Sequence, residues 1–360
     1  MVLLNMNDNI RLTQYSVGGG CGCKISPADL EQIINRCEKS QVADARLLVG
    51  NESMDDAAVY DLQNGQVLIS TTDFFTPIVD DPFDFGRIAS VNALSDVYAM
   101  GGKPIFALAV LGWPLAKLSA ETAASVIEGA RSVCSSIGIL IAGGHSIDIP
   151  EPVFGLVVNG LAPIESFKQN CKATAGCHLF LSKPLGIGAI SNANKHSKVN
   201  PDDYNAAITW MTRLNTLGPA VASLKGLKAM TDVTGFGLGG HLLEVCKGSN
   251  LVAEIDFDAL PLLNGFTGYI AQGCIPGGTR RNFKSYGHSI EPMEESRAMI
   301  ICDPQTSGGL LMAVEEAGIP EFLAVVEKEN GFVKEIGTLM AREDETGLPE
   351  NEKKFIRFKK

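Results

Sequence analysis

Two rounds of alternating strands and helices are predicted by the spacing of apolar residues along the chain. In the first half, apolar runs predict strands at residues 67–72, 104–111, 139–142 and 153–160. Apolar residues at i, i+3 spacing predict a helix over 85–100, and Ser119 is a candidate N-cap for a helix ending near 136. The first half therefore reads as a mixed strand and helix domain.

The second half repeats this alternation. Strands are predicted at residues 178–182, 299–302, 310–314 and 333–339, with a further strand ending at Met230. Helices are predicted at residues 206–217, 238–246 and 321–329. Mixed order in both halves indicates two α/β or α+β domains, and the polar stretch 163–175, which lacks periodicity, marks their boundary. We expect an arm and lead-in at 1–46, an N-terminal domain at 47–165 and a C-terminal domain at 166–360.

Composition narrows the classes of function. The 360 residues carry a formal net charge of −11 and show no basic stripe, which argues against nucleic acid as a partner. The longest apolar stretch, 105–111, is too short to cross a bilayer, and the N-terminus has no signal-peptide pattern. We expect a cytoplasmic protein with no membrane partner, whose nine cysteines are buried hydrophobes or reactive thiols rather than a disulfide framework.

A glycine-rich stretch precedes a pair of cysteines near the N-terminus. Residues 17–20 are too rich in glycine to order cheaply, and they predict a mobile arm. The arm is not a phosphate-binding P-loop, because Cys23 and Ile25 flank Lys24 where that motif needs Gly and Ser or Thr. A cation three positions from Cys21 would lower the pKa of the thiol. The alternative, a loop whose cysteines do no chemistry, stays open at this stage.

Isolated aspartates form the second candidate. They lie in apolar or glycine-rich surroundings at Asp55, Asp56, Asp73, Asp96 and Asp232. A carboxylate in such a setting is costly to desolvate without a partner, and magnesium completed by substrate phosphates is a natural one. Any one of these aspartates alone is more often a helix cap or a solvated side chain, so only the group indicates a site.

Three further motifs admit more than one interpretation. Residues 235–240 fit G-x-G-x-x-G between a predicted strand and helix, with acidic residues about twenty positions on, which is typical of a dinucleotide-binding oxidoreductase. Residues 142–146 are either an anion-binding nest or a plain turn. Residues 303–309 are a polar turn between apolar strands, either a structural corner or a loop of the site.

Long stretches of the chain resemble the selenophosphate synthetase family, in the same order and over nearly the whole length. The matching stretches are RLTQYS at 11–16, CGCKISP at 21–27, DDAAV at 55–59, STTDFF at 70–75, SDVYAMGGKP at 95–104, AGGHSID at 142–148, TDVTGFGL at 231–238 and CDPQTSGGLL at 302–311. The resemblance implies an enzyme that converts ATP, selenide and water to selenophosphate, AMP and orthophosphate. It also explains the dinucleotide-like motif as a coincidence within TDVTGFGL.

The resemblance assigns roles to matching positions. It implies that Cys21 and Lys24 are catalytic and that Asp56, Asp96 and Asp232 bind Mg²⁺. The nucleotide-contacting positions that it implies are Lys24, Ser53, Met54, Asp55, Asp73 and Asp96, with Gly144, His145 and Ser146 reaching across from a dimer partner. Val17 stands where many relatives have a polar residue such as His.

The family fold is similar to that of aminoimidazole ribonucleotide synthetase. The resemblance therefore implies two α/β domains and a homodimer whose N-terminal sheets join in a barrel. A need for K⁺ and a selenium-delivery protein are further candidates. One rival is another synthetase of this fold, which would release ADP and would not need Cys21. The other rival is the dinucleotide-dependent oxidoreductase.

Overall fold

The computed structural model describes residues 10–25, 27–37, 43–50, 55–342 and 353–359, which form two six-stranded sheets. The first sheet has the strand order β1-β2-β3-β6-β4-β5. Its strands are β1 Leu47–Val49, β2 Ala58–Asp61, β3 Gln66–Phe75, β4 Lys103–Trp113, β5 Ile141–Asp148 and β6 Val153–Pro163. Neighbouring strands run antiparallel except for the parallel pair of β4 and β5.

Two long helices, α2 Pro82–Ala99 and α3 Ala120–Ser136, pack together beside the first sheet. Each begins at a side-chain cap, where Asp81 accepts from the backbone N–H of Asp84 and Ser119 from that of Thr122. The helices approach so closely that a Cβ on Gly86 would lie 1.8 Å from the carbonyl oxygen of Val126. Glycine is therefore required at this crossing.

The second sheet has the strand order β12-β9-β11-β7-β10-β8. Its strands are β7 Cys177–Leu181, β8 Leu227–Asp232, β9 Leu251–Ile255, β10 Leu310–Glu315, β11 Lys334–Ala341 and β12 Ile356–Phe358. The remaining helices are α1 Pro27–Asn35, α4 Ile187–Lys195, α5 Pro201–Met211, α6 Leu217–Val221, α7 Gly237–Ser249, α8 Phe266–Ala271, α9 Gly277–Tyr286, α10 Glu295–Ile301 and α11 Ile319–Lys328. Helix α2 packs against both β3 of the first sheet and β8 of the second, so it links the two sheets.

Most predicted elements are present, with three corrections. The strand predicted at 299–302 is wrong, because this short apolar run is the end of helix α10. The helix predicted over 206–217 instead ends at Met211, and α6 begins at Leu217. The strand predicted at 139–142 starts later and continues to Asp148, so residues 142–146 form part of a strand and are neither a turn nor a nest. Short apolar runs do not separate strand from helix by periodicity alone, which explains the first error.

The chain before the cysteine pair is packed against the body of the protein. Leu12 is fully buried, and the Asp80 carboxylate accepts hydrogen bonds from Arg11 Nε at 2.9 Å and from the backbone N–H of Thr13 at 3.2 Å. Asn194 Nδ2 of helix α4 donates to the same carboxylate at 3.3 Å. Residues 11–16 are therefore anchored, which confines any motion of the predicted arm to the glycine-rich part.

The domain boundaries that the sequence suggests after residues 46 and 165 stay a prediction.

Candidate functional site

Three aspartates from separate elements converge where the two halves of the chain meet. Asp56 precedes β2, Asp96 lies in the last turns of α2, and Asp232 ends the edge strand β8. We call these three residues the carboxylate cluster. Two threonines orient carboxylates of this cluster. Thr71 Oγ1 donates to Asp96 Oδ2 at 2.5 Å, and Thr231 Oγ1 donates to Asp56 Oδ1 at 2.8 Å.

The cluster is electrostatically unfavourable as it stands. Burial raises the pKa of Asp56 and of Asp96 well above the ordinary value, and in each case the charge of Asp232 raises it further. Burial also raises the pKa of Asp232, although His241 and other partners oppose this. Asp56 Oδ2 and Asp232 Oδ2 are buried and accept no hydrogen bond from the residues that the structure describes. Buried carboxylate oxygens of this kind require a cation or a proton.

The geometry fits a cation that takes only part of its ligands from the protein. In the described ranges, no group of three or more His, Cys, Asp or Glu side chains could hold a metal ion by itself. Magnesium typically uses one or two carboxylates and fills its octahedral shell with water and substrate phosphates. The unpartnered oxygens of Asp56 and Asp232 meet that requirement.

The glycine-rich stretch lies beside this cluster. We call residues 17–24 the thiol segment. Cys21 is fully buried, its backbone N–H donates to Thr306 Oγ1 at 3.0 Å, and its Sγ donates to Asn92 Oδ1 at 3.1 Å. Gly20 has a left-handed φ of 56°, and a Cβ there would lie 2.3 Å from Thr306 Oγ1. Only glycine permits this approach without strain.

A chain of polar contacts joins the thiol to a lysine. Lys24 Nζ lies 3.3 Å from Asp73 Oδ2, and Asn92 Nδ2 donates to the same oxygen at 2.6 Å. Asn92 Oδ1 accepts from both the Cys21 thiol and the backbone N–H of Ser307, at 3.1 and 2.8 Å. Asn92 therefore fixes the position of Cys21 relative to the loop after α10 and relative to Asp73.

The protonation of this pair differs from the sequence-based expectation. Burial raises the pKa of the Cys21 thiol, the charge of Asp73 raises it further, and Lys24 offsets only part of the rise. Lys24 lowers the pKa of the thiol, as the sequence predicts, but in this conformation burial and Asp73 outweigh its effect. Partial burial lowers the pKa of Lys24, but Asp73, Cys21 and the nearby carboxylates outweigh it and raise the pKa overall. Lys24 is a permanent cation here.

The remaining predicted nucleotide positions are spread more widely. Asp55 lies next to the cluster, and burial raises the pKa of its carboxyl to about 6 despite a hydrogen bond from the backbone N–H of Asn170. Ser53 and Met54 lie outside the described residues. Gly144, His145 and Ser146 are not brought to the cluster within one chain.

The strand that carries this last group lies at the far edge of the first sheet. β5 is separated from β3 by β6 and β4, which corresponds to about 14 Å at the usual strand spacing. Residues 142–148 are exposed along their whole length, and Ile147 within this stretch exposes 54% of its surface. Leu140, just before the strand, exposes 74%. The described part of a single chain therefore leaves this edge uncovered.

Sequence reasoning missed several polar residues that organise the site. Thr71 and Thr231 orient the cluster, and Thr306 and Ser307 hold the thiol segment and Asn92. The turn at 303–309 is thus a loop of the site, which the sequence had not separated from a structural corner. A signal was present, because a polar run between two buried apolar segments, here the end of α10 and the start of β10, needs hydrogen-bond partners.

The dinucleotide interpretation fails on topology. β8 and β9, which flank helix α7, are separated in the sheet by β11, β7 and β10, so no adjacent parallel βαβ unit forms. The space in front of α7 is also filled, since a Cβ on Gly235 would lie 2.5 Å from the Cys21 carbonyl oxygen. This leaves no room for a pyrophosphate at that turn.

Solved structures of other proteins share this fold. AaThiL complexed with AMPPCP and TMP superimposes with a TM-score of 0.64 at 18% identity, with 92% of this chain and 93% of that chain covered. Hydrogenase maturation protein HypE in complex with ATP gives a TM-score of 0.58 at 17% identity, with 92% and 89% covered. At these identities the likeness concerns the fold alone.

Within the described residues, no helix has both the length and the apolar character needed to span a bilayer.

Sequence comparison is more specific. The N-terminal domain model of AIR synthase related proteins matches residues 54–162, and the C-terminal domain model matches 174–348. The selenide, water dikinase of Photobacterium profundum is 56% identical over 341 residues, which is 94% of this chain and 98% of that protein. The enzyme of the same name from Cronobacter sakazakii is 57% identical over 330 residues, covering 92% and 95%. The chain therefore belongs to the selenide, water dikinase family, within the AIR synthase-related fold.

Proposed function

We propose that this chain makes selenophosphate from ATP, selenide and water, and that the carboxylate cluster and the thiol segment form its active site. In the first transfer, the bond between the γ-phosphorus and its bridging oxygen breaks and a phosphorus–selenium bond forms, leaving ADP. In the second, water takes the next phosphoryl group, giving orthophosphate and AMP. The observation that carries the proposal is the meeting of Asp56, Asp96, Asp232, Lys24 and Cys21 at one place.

The cluster is assigned to metal-bound nucleotide. Asp56, Asp96 and Asp232 would hold Mg²⁺, which supplies neutralisation of phosphate charge when bound. The unpartnered oxygens of Asp56 and Asp232 support this assignment. An acidic chain of net charge −11 needs such local neutralisation to accept a triphosphate. The solved complexes of AaThiL with AMPPCP and of HypE with ATP support nucleotide binding on this fold.

The thiol segment is assigned to the transferring group. Lys24, a permanent cation held by Asp73, would stabilise negative charge on the γ-phosphoryl group in the transition state. Cys21 would bind hydroselenide non-covalently and present it to the γ-phosphoryl group, so that no sulfur–selenium bond forms and no oxidant is needed, with Asn92 fixing the direction of the sulfur. Because the thiol is fully buried, the closed segment also keeps bulk water away from this point.

A second copy of the chain is the proposed partner at the first sheet. Exposed apolar side chains line its uncovered side, including Phe74, Ile105 and Ile147 at 51%, 42% and 54% exposure. An open edge strand beside such a surface favours sheet-to-sheet association. Gly144, His145 and Ser146 would then approach the partner's nucleotide. We assign the homodimer to the cytosol, where its cysteines stay reduced.

Phosphorus NMR tests the reaction directly. The protein is incubated anaerobically with ATP, Mg²⁺ and selenide, and we expect a phosphorus–selenium resonance together with AMP and orthophosphate in equal amounts. Release of ADP without a phosphorus–selenium product would instead establish another kinase of this fold. A reaction that proceeds equally without selenide would also overturn the proposal.

A further inference from the structure

Two exposed cations from the second half of the chain fasten the thiol segment at its two ends. At the first end, Lys195 Nζ, at the C-terminus of α4, donates to the carbonyl oxygens of Ser16 at 2.8 Å and Val17 at 3.0 Å. At the other end, Arg281 Nη2 of α9 donates to the carbonyl oxygen of Gly22 at 2.7 Å. Cys21 lies between these two attachments.

The start of the segment makes few other contacts, whereas its end is held by the buried Cys21 side chain and by the ion pair of Lys24 with Asp73. Val17 exposes 88% of its surface, and three glycines follow it, so residues 17–20 bury little apolar area of their own. Among the described residues, the backbone N–H groups of the segment donate to Glu151 Oε2 from Val17 at 3.3 Å, to the Thr76 carbonyl oxygen from Gly20 at 2.9 Å, and to Thr306 from Cys21. A segment with little burial and few bonds is drawn from the low-stability end of a structure.

The chain upstream behaves differently. Residues 11–16 are fixed by the Asp80 contacts and by the buried side chain of Leu12. Opening at residues 17–24 can therefore occur about the glycines without disturbing that anchor. Such opening would expose the Cys21 thiol, which is otherwise inaccessible.

We propose that Lys195 and Arg281 are paired latches that hold the thiol segment closed and thereby set how often the Cys21 thiol is accessible. Both are positioning residues, since each contacts backbone carbonyls of the segment and leaves the reacting atoms to Cys21 and Lys24. Hydroselenide must reach a thiol that the closed segment buries, so its non-covalent binding there requires the latches to release. Closure then restores the contacts of Cys21 with Asn92 and Thr306.

Thiol alkylation measures this opening without any reliance on activity. The full-length protein and the variants Lys195→Met, Arg281→Met and the double variant are treated with N-ethylmaleimide, and modification of each cysteine is followed by peptide mass spectrometry. We expect Cys21 to react about tenfold faster in the double variant, with smaller increases in the single variants, as expected for losing surface hydrogen bonds from charged donors.

The chain supplies matched controls. Arg213 is an exposed arginine whose Nη2 donates to the Asn330 carbonyl oxygen at 3.0 Å, a contact away from the thiol segment, so Arg213→Met should leave the Cys21 rate unchanged. Cys37 is exposed and lies outside the segment, so it should react at one rate in all variants. Cys134 is a buried core thiol and should stay protected. An unchanged Cys21 rate in the double variant, an equal rise with Arg213→Met, or a parallel rise at Cys134 would overturn the proposal.

One consequence rests on the proposed function. If closure excludes water from the γ-phosphoryl group, the double variant should hydrolyse more ATP for each selenophosphate formed. The ratio of orthophosphate to selenophosphate, followed by phosphorus NMR, should rise in the double variant and stay constant with Arg213→Met. If alkylation is faster but the ratio stays constant, Lys195 and Arg281 hold the segment closed but do not link ATP hydrolysis to selenophosphate formation. If the wild type makes no selenophosphate, the proposed function is contradicted, but the conclusion from the Cys21 alkylation rates is not affected.

Discussion

The carboxylate cluster and the thiol segment lie side by side but are built in opposite ways. The cluster sits on the ends of rigid elements, with Asp96 on a buried helix and Asp232 at the end of a strand. The thiol segment consists largely of glycine and is held by single hydrogen bonds and two exposed cations. The carboxylate cluster is therefore rigid, and its carboxylates repel one another. The thiol segment is held by fewer contacts, and it buries the thiol of Cys21.

This difference suggests a division of labour. A metal–nucleotide site benefits from fixed geometry, because preorganised charges need no rearrangement during phosphoryl transfer. A thiol that must bind hydroselenide and then be shielded from water requires two positions. Changes in the cluster should therefore alter nucleotide binding, and changes in the segment should alter turnover while nucleotide binding survives.

The largest expected effect is that of Cys21→Ser. Selenide-dependent turnover should fall to below about one-thousandth, as is typical for loss of a group that contacts the reacting atoms. Calorimetry should show unchanged binding of ATP with Mg²⁺. The control Cys23→Ser changes an exposed thiol two residues away and should retain turnover. Full turnover of Cys21→Ser with free selenide would make Cys21 a delivery residue rather than part of the chemistry.

A smaller effect is expected for Gly20→Ala. The new Cβ would meet Thr306 Oγ1 at 2.3 Å in a backbone conformation that disfavours alanine, so the closed segment should be displaced. We expect kcat to fall about tenfold, as for a displacement of about 1.4 kcal/mol, with nucleotide affinity retained. Gly138→Ala is the matched control, because Gly138 also has a positive φ of 75° but has no atom within 4 Å of a Cβ. Equal effects of both variants would contradict closure at Gly20.

The smallest effect concerns Asp303, at the start of the loop that joins the two regions. Burial raises the pKa of its carboxyl to about 8, although hydrogen bonds from Gln305 and the backbone N–H of Gly188 oppose this. The unfolded chain has a pKa of about 3.9, so the folded state binds the extra proton and stability falls as the pH rises from about 4 to about 8. Asp303→Asn removes this dependence.

The measurement compares thermal unfolding at pH 6 and pH 9. The drop in Tm between these values should be at least about 2 °C smaller in Asp303→Asn than in the wild type. The exposed Asp258→Asn serves as the control and should reproduce the wild-type drop. An unchanged drop in Asp303→Asn would mean that this carboxyl titrates normally and that the loop tolerates its charge.

The sequence predicts local elements well where a long periodic pattern meets a cap. Helices α2 and α3 follow from apolar spacing and from the capping residue Ser119, and the structure confirms both. The short run at 299–302 fits strand or helix equally, and only its packing as the end of α10 decides between them. Neither alternative considered for residues 142–146, a turn or a nest, is found, because pairing with β4, a non-local contact, extends the strand through two glycines.

The site was predictable as a set of residues but not as a geometry. Isolated aspartates in apolar surroundings identify Asp56, Asp96 and Asp232 as candidates, because such residues need partners. Their convergence depends on how α2 packs against β8, which no spacing in the sequence reveals. Lys195 and Arg281 are ordinary surface cations in the sequence, and only the fold places them on the thiol segment.

Thermal unfolding of Asp232→Asn, with and without ATP and Mg²⁺, tests the central claim most directly. Without ligand, removing one of several crowded buried carboxylates should raise the Tm by at least about 2 °C. With ATP and Mg²⁺ at about 100 times the wild-type Kd, the wild type should gain stability of about 2.7 kcal/mol, and the variant should lose most of that gain. The exposed Asp258→Asn should behave like the wild type in both conditions. A lower Tm without ligand, or an undiminished gain from ATP and Mg²⁺, would contradict a cation site built from these carboxylates.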